Sequence, residues 1–389
     1  MKAMFEFIEE EINQLKQANL YRSLKIITRT DGRTVEIDGK QYINFCSNNY
    51  LGLANHPKVI EASQQAAKEF GAGAGASRLI CGNLSIHEEL ERKIAQFKGR
   101  EAAILFPTGY MANLGAIAAL VDENDTVIID RLNHASIIDA CKLSKAKLQV
   151  YPHKDMKALE KILQRSDKYK KRLVVTDSIF SMDGDIAPLP EIVRLAKEYS
   201  AITMIDEAHA TGVLGTRGRG LEEHYGIEGK ADIVMGTLSK AVGSLGGFIA
   251  GSAELIDYLK NKSRSFIYTT ALPPSACAAS IAALEIIEKE PEFLRNLRMN
   301  SRFLREKLLP SATDNTPIIP ILVGDTDKTM KLAENLFEKG ILASGIRPPT
   351  VPEGESRIRI TVTAQHTKED IECLASLLRE PIPAAAKLT

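Results

Sequence analysis

Between residues 102 and 251 the chain alternates two patterns. Short runs are apolar at every position, and longer stretches between them are apolar only at every third or fourth. The runs are AAILF (102–106), TVIID (126–130), LQVY (148–151), LVVTDS (173–178), ITMID (202–206) and DIVMGT (232–237). A strand apolar on both faces is covered on both faces, and strands separated by helices pair in parallel. This stretch therefore predicts a mainly parallel α/β sheet with helices on both sides. GGFIA (246–250) follows the sixth run too closely for a crossover helix. It is predicted to return antiparallel, which makes seven strands.

The flanks carry other patterns. A helix is expected at about 4–19, then two short alternating strands in RTVEIDGKQYINF around Asp38-Gly39, a hairpin signal. A further helix runs from 57 to Phe70 and is broken by GAGAGASR (71–78), expected as a flexible active-site loop. After Pro273-Pro274 a long helical stretch (275–309) leads into strands in TPIIPILVG and RIRITVTA, with helices at 327–339 and 367–380. The expected division is 1–45 (N-terminal helix and short strands), 46–274 (large domain) and 275–389 (smaller α+β domain).

Composition narrows the function. Lys+Arg and Asp+Glu both number 50, so no broad field favours nucleic acid or an anionic membrane. The five cysteines are scattered with no CxxC pair, which argues against a zinc knuckle or a disulfide framework and suits a reducing compartment. The first residues lack a signal peptide's apolar core, and a cytoplasmic protein is expected. SIHEELERK has no second histidine four residues on, so a capping box between Ser85 and Glu88 suffices for it. DGD (183–185) lacks the rest of a calcium loop, and no metal is expected.

Ligands of open α/β sheets bind outside the carboxyl ends of the strands. Gly109 follows the first run, Asn133-His134 the second, Ser178 to Ser181 the fourth, Asp206 the fifth and Thr237 to Lys240 the sixth. Lys240 sits among small residues in GTLSKAVG, and a lysine in a cramped, half-buried turn tends toward the neutral, nucleophilic amine. Asp206 and His209 read either as a helix-capping carboxylate with a core histidine, or as a carboxylate facing a ring nitrogen that must stay protonated. Pyridoxal phosphate (PLP) needs the second arrangement, and Lys240 would hold it as a Schiff base. FPTGYMANLGAIAALV (106–121) is a strand end, a turn at Gly109 and a helix start whose free N–H groups and dipole suit a phosphate. A simple β–α connection reads the same way. Hydroxyls of Ser181, Thr237 and Ser239 would complete the cradle. His134 either stacks on the pyridine face or points to solvent.

DSIFSMDGDIAPL (177–189), DEAHATGVLGTRGRG (206–220) and GTLSKAVGSLGG (236–247) resemble the α-oxoamine synthases. These are fold type I PLP enzymes that condense an amino acid with an acyl-CoA. The resemblance extends from FCSNNYLGL (45–53) to RIRITVTAQHT (357–367). It implies that Lys240 binds the cofactor and shuttles the substrate proton, Asp206 pairs with the pyridinium nitrogen, His209 bonds the phenolic oxygen and His134 stacks on the ring. It further implies that Gly109, Tyr110, Ser181 and Thr237 hold phosphate and cofactor. Thr269 and Thr270 in FIYTTALPP would reach the partner subunit's phosphate in a homodimer with shared active sites. Asn48 and Arg347 would bind the amino-acid carboxylate, Arg22 would meet the acyl-CoA, and Thr350 would line the acyl pocket. IRPPTVP (346–352) resembles the branch that joins L-alanine to a pimeloyl thioester, on CoA or acyl-carrier protein, with loss of CO2 in biotin biosynthesis. The alternative branch joins glycine to acetyl-CoA.

Overall fold

The computed structural model describes residues 5–309 and 314–379. Residues 4 and 380, the expected outer ends of the first and last helices, lie outside the described residues. The chain forms two compact units, Asn49–Ser181 with Asp185–Arg295, and Met1–Asn48 with Met182–Gly184 and Asn296–Thr389.

The larger unit holds the predicted sheet. Its strands are β1 (Ala102–Phe106), β2 (Thr126–Asp130), β3 (Lys147–Tyr151), β4 (Arg172–Asp177), β5 (Ile202–Asp206), β6 (Ile233–Thr237) and β7 (Gly247–Gly251). Their spatial order is β1-β7-β6-β5-β4-β2-β3. β7 runs antiparallel to both its neighbours, as its short connection requires, and the remaining pairs are parallel. Every residue of β2, β6 and β7 is buried, which is why their sequences show no alternation. Ile104, Phe106, Ile129, Val175, Met204, Met235 and Ile249 join one core cluster with the apolar face of the flanking helices. Burying each such side chain contributes about 1.5–3 kcal/mol against the entropy of folding.

The register decides where the strands end. Asp177 lies opposite Asp206, and Asp206 opposite Met235. Thr237 lies opposite Gly247, and Gly247 opposite Phe106. The carboxyl ends of β1, β4, β5 and β6 are thus aligned along one edge.

The helix Gly109–Leu120 packs close against this sheet. A Cβ on Gly115 would sit 2.3 Å from Ser263 Oγ and 2.6 Å from Phe106 Cε1, so only glycine fits. Two helix expectations need correction. The stretch 275–309 is two helices, Pro274–Lys289 and Glu292–Leu308. Pro291 lacks an N–H and pushes Glu290 to φ −122°, ψ 74°, outside the helical region. The helix at Ser85 is not capped by Ser85 with Glu88. His87 Nδ1 accepts the Leu84 N–H at 3.0 Å, while Glu88 takes the Asn83 amide at 2.9 Å. A ring nitrogen three residues into the helix replaces the carboxylate there.

In the smaller unit, Ser356–Thr361 is the central strand of an antiparallel sheet between Ile318–Gly324 and Ser344–Ile346. Its sequence, SRIRIT, alternates. Ile358 and Ile360 enter a core with Phe45, Leu304, Ile319 and Leu374, which leaves Arg357, Arg359 and Thr361 on the opposite face. Thr34–Ile37 and Lys40–Asn44 form the expected hairpin. Asp38 (φ 50°) and Gly39 (φ 73°) take the left-handed conformations that a tight two-residue turn demands. Lys40–Asn44 also pairs in parallel with Ile341–Leu342, so the N-terminal strands share a sheet with residues from the C-terminal part. Among the described residues no helix is long and apolar enough to cross a membrane.

Candidate active site

The aligned strand ends of the larger unit enclose a cavity of roughly 200 Å³. Its lining includes Gly109, Tyr110, His134, Ser181, Asp206, His209, Thr237, Ser239 and Lys240, nine residues singled out from the sequence. Each arrives by a short connection after a strand, so the register of the sheet brings them together.

Asp206 ends β5 and is 3% exposed. Its Oδ1 accepts the Ala208 N–H at 2.8 Å, and its Oδ2 accepts from Asn113 Nδ2 at 2.8 Å. The second proton of that amide goes to Ser136 Oγ, 2.8 Å away. Ser136 Oγ in turn lies 2.8 Å from His134 Nδ1, which also receives the Ser136 N–H at 3.3 Å. With the Ser136 hydroxyl accepting from Asn113, its proton is left to donate to His134 Nδ1. This network assigns the neutral His134 proton to Nε2, a donor directed away from the helix start. Desolvation holds His134 below the usual imidazole value, and the nearby Lys240 cation adds to this while Asp206 opposes it.

Asp177, at the end of the neighbouring β4, faces Asp206. Burial and then the Asp206 charge push its carboxyl well above the usual carboxylate range. Its Oδ2 accepts the His134 N–H at 2.8 Å, which pins the loop after β2 to the end of β4.

Lys240 follows β6. Its Nζ is 2.9 Å from His209 Nε2, and His209 Nδ1 is 2.6 Å from the Tyr50 hydroxyl. At the cavity's other end the helix Gly109–Leu120 begins, with Thr108 Oγ1 capping the Met111 N–H at 3.1 Å. The N–H groups of Gly109 and Tyr110 fall in the first turn, where no intrahelical acceptor exists. Gly109 is held close to β6, since a Cβ there would lie 3.1 Å from Met235 Cε and 3.3 Å from Thr237 Cβ. Thr237 Oγ1 is 2.8 Å from both Ser239 Oγ and the Gly246 carbonyl. The Tyr110 ring makes an edge contact with His134, and its hydroxyl bonds Asp139. Thr269 and Thr270 lie in the same unit but outside this lining, with Thr269 Oγ1 reaching only the Thr270 carbonyl at 3.5 Å.

The remaining predicted residues belong to the smaller unit and form two groups. Arg347 Nη2 donates to the Tyr21 carbonyl at 2.7 Å, and Arg22 Nη2 reaches the Pro348 carbonyl at 3.5 Å. Arg347 Nε is buried without a partner among the described residues. Thr350 is exposed. Asn48 does not join them. Its Oδ1 accepts from Arg359 at 3.3–3.4 Å.

Asn113, Ser136, Asp177, Tyr50 and Arg359 were not singled out as site residues. Asn113 carried a signal, as the one strongly polar side chain of the otherwise apolar helix GYMANLGAIAAL, fully buried in the structure. Arg359 carried one too, in the alternation of RIRIT.

The donor set fits PLP. A primary amine faces the cavity, and a buried carboxylate is fixed by two hydrogen bonds. A helix start approaches closely through a glycine, and Asn113 Oδ1 is buried without a partner among the described residues.

The comparisons agree with this geometry. The aminotransferase class I and II family model matches residues 40–378, and the chain belongs to that family. It is 50% identical over 372 residues to the 8-amino-7-oxononanoate synthase of Thermoanaerobacter pseudethanolicus, covering 94% of each chain. That degree of identity places it among the 8-amino-7-oxononanoate synthases, enzymes of biotin biosynthesis. Among solved structures, serine palmitoyltransferase with a PLP internal aldimine superposes with a TM-score of 0.91 at 32% identity, covering 96% of each chain. The 8-amino-7-oxononanoate synthase of Francisella tularensis superposes with a TM-score of 0.75 at 28% identity, over 87% of this chain and 96% of that one. The seven-stranded sheet with its small antiparallel companion is the fold type I architecture.

Proposed function

We propose that this chain condenses L-alanine with a pimeloyl thioester to give 8-amino-7-oxononanoate, CO2 and the free carrier thiol, using PLP. The observation that carries the reading is the convergence of Lys240, His209, Asp206 and the Gly109 helix start on one cavity, in a chain 50% identical to 8-amino-7-oxononanoate synthase.

When bound, PLP supplies an electron sink for charge developing at the amino acid's α-carbon. The chain's own groups prepare that chemistry. Asp206, kept in place by Asn113 and the Ala208 N–H, would hold a proton on the ring nitrogen of the cofactor. The Gly109 helix start and the Thr237, Ser239 and Ser181 hydroxyls, which line one cavity, would bind its phosphate. His209 would bond the phenolic oxygen, and the Lys240 amine would remove the alanine α-proton as a positioned base. His134 presents its Nε2–H to oxygen where negative charge develops, a role typically worth a few kcal/mol.

The amino-acid carboxylate is assigned to Asn48 and Arg347, as the resemblance implies, and to Arg359, which hydrogen-bonds Asn48. Arg22 lies on the same stretch as the Arg347 contact Tyr21, and this basic group suits the anionic thioester. The protein is taken to act in the cytoplasm, a placement that cell fractionation would check. It is also taken to act as a homodimer through FIYTTALPP. Mixing a Lys240→Ala chain with a chain altered at Thr269 and Thr270 should then restore activity; a fully active monomer would contradict this.

Thiol release in the presence of alanine or glycine, each with pimeloyl-CoA, acetyl-CoA and palmitoyl-CoA, tests the reading. Alanine with pimeloyl-CoA should be the fastest pair. Faster release with glycine and acetyl-CoA would move the chain to the glycine-using branch.

A further inference from the structure

Tyr50, in the NNYLG segment, has no part in the chemistry described so far, yet it is 0% exposed and its hydroxyl lies 2.6 Å from His209 Nδ1. The other ring nitrogen of His209 lies 2.9 Å from Lys240 Nζ. The tyrosine and histidine rings are tilted by 57°, with centroids 6.0 Å apart, so the contact runs edge-on through the polar atoms rather than by stacking.

A neutral imidazole carries one proton, so its two nitrogens take opposite roles, donor on one side and acceptor on the other. An ammonium at Lys240 offers only donors. Nε2 must then accept, and Nδ1–H must donate to the Tyr50 oxygen. Once the Lys240 nitrogen is engaged by the cofactor it no longer offers those protons. Nε2–H then becomes the donor into the cavity, and Nδ1 must accept from the Tyr50 O–H. A phenol can both accept and donate at that point. A carboxylate there would favour one tautomer, and an ammonium the other. The other charged or titratable groups lining the cavity are Asp206, Asp177, His134 and Tyr110.

We propose that Tyr50 is a positioning residue that holds the His209 ring in both neutral tautomers, so that Nε2 accepts from Lys240 in the cofactor-free enzyme and donates into the cavity in the loaded one. This rests on the reading of Lys240 as the cofactor's anchor. It makes Tyr50 necessary for the histidine's adaptability rather than for the shape of the pocket.

The test is the tautomer itself. The chain has seven histidines, so imidazole-15N labelling gives few signals, and the His209→Gln spectrum identifies the one in question. Spectra are recorded on the full chain, first cofactor-free and then loaded with PLP. The wild type should show Nδ1–H in the free state and Nε2–H in the loaded state. Tyr50→Phe leaves Nδ1 without its oxygen partner, so the change should be incomplete, with both tautomers populated in at least one of the two states. Its kcat should fall roughly tenfold, the effect of one lost buried hydrogen bond, with KM for alanine within about twofold of the wild type.

A single wild-type tautomer in both states overturns the proposal without recourse to any variant. So does a Tyr50→Phe enzyme that matches the wild type in spectrum and kcat. A wild-type chain that takes up no PLP, seen as absent visible absorbance, overturns the cofactor reading and the proposal with it. Loading with PLP but without a tautomer change overturns only the role of Tyr50.

Discussion

The strand-end cavity of the larger unit and the arginine-bearing face of the smaller one are built by different rules. In the cavity the proposed groups, the Lys240 amine apart, are short or ring side chains and backbone N–H groups, all within a few residues of a buried strand. Sheet register fixes its position, and Asp206, His134 and Thr237 are held through bonds of 2.8 Å to their neighbours. On the smaller unit the proposed groups are long guanidinium side chains, and their partners are scattered along the sequence. Arg359 pairs with Asn48 and Thr361, Arg347 with Tyr21, and Arg22 with Pro348. A strand-end site can be read from the order of the strands. A guanidinium site depends on which of several similar side chains finds which acceptor.

The sharpest way to break the contrast is at the cavity, where no substitute side chain is at hand. Lys240→Ala should lower turnover by about 10⁴-fold or more, since it removes both the anchor and the base. The fold should persist, as circular dichroism would show; full activity would remove Lys240 from the mechanism. Asp206→Asn should cost roughly a hundred- to a thousandfold in kcat, because an amide cannot hold the ring proton. Its lysine linkage should survive, visible as retained absorbance. Near-normal rates would mean that another group faces the ring nitrogen.

On the arginine side the effects should be smaller and should fall on KM. Arg359→Lys should raise KM for alanine by about 10- to 100-fold, because lysine cannot reproduce a forked, buried donor set. Arg347→Lys should raise it less, since that guanidinium bonds the Tyr21 carbonyl and, unlike Arg359, does not touch Asn48. Steady-state kinetics with alanine varied checks both. The reverse ranking would make Arg347 the principal carboxylate ligand.

How much of this was legible follows the same contrast. The seven strands, the antiparallel return of β7 and nine cavity residues could be read ahead of the structure, because apolar runs and strand ends are local features. Asn113 was not read, because a buried asparagine declares itself only once Asp206 and Ser136 are brought beside it. The break at Pro291 was missed because the apolar periodicity on both sides outweighed one proline. The pairing of Asn48 with Arg359 joins positions 311 apart in the chain, and no local pattern reports such a distance.

The smallest expected effects are on stability, and they again differ between the units. In the larger unit His153 is partly desolvated, which disfavours its charge, but hydrogen bonds to Asp130 and Asp185 outweigh this and raise its pKa to about 9. It holds its proton more tightly folded than unfolded. Its contribution is therefore full below about pH 6.5 and is lost as pH rises through about 9. In the smaller unit His366 is desolvated, 4% exposed and stacked on Phe45, and its pKa falls to about 4. Its contribution is full above about pH 6.5 and is lost as pH falls toward 4. Thermal melts across pH should show His153→Phe flattening the alkaline limb and His366→Phe flattening the acid limb, each by a few degrees. If either variant flattens the opposite limb, the assigned protonation state is wrong.

The central claim is that the aligned strand ends around Lys240 are the cofactor site, and borohydride reduction of the PLP-loaded protein tests it most directly. Reduction makes the lysine linkage permanent, and peptide mass spectrometry then locates the phosphopyridoxyl group. The account predicts a single labelled peptide, the one containing Lys240, and no label in Lys240→Ala. A label on another lysine, or none on a protein that binds PLP, would contradict it.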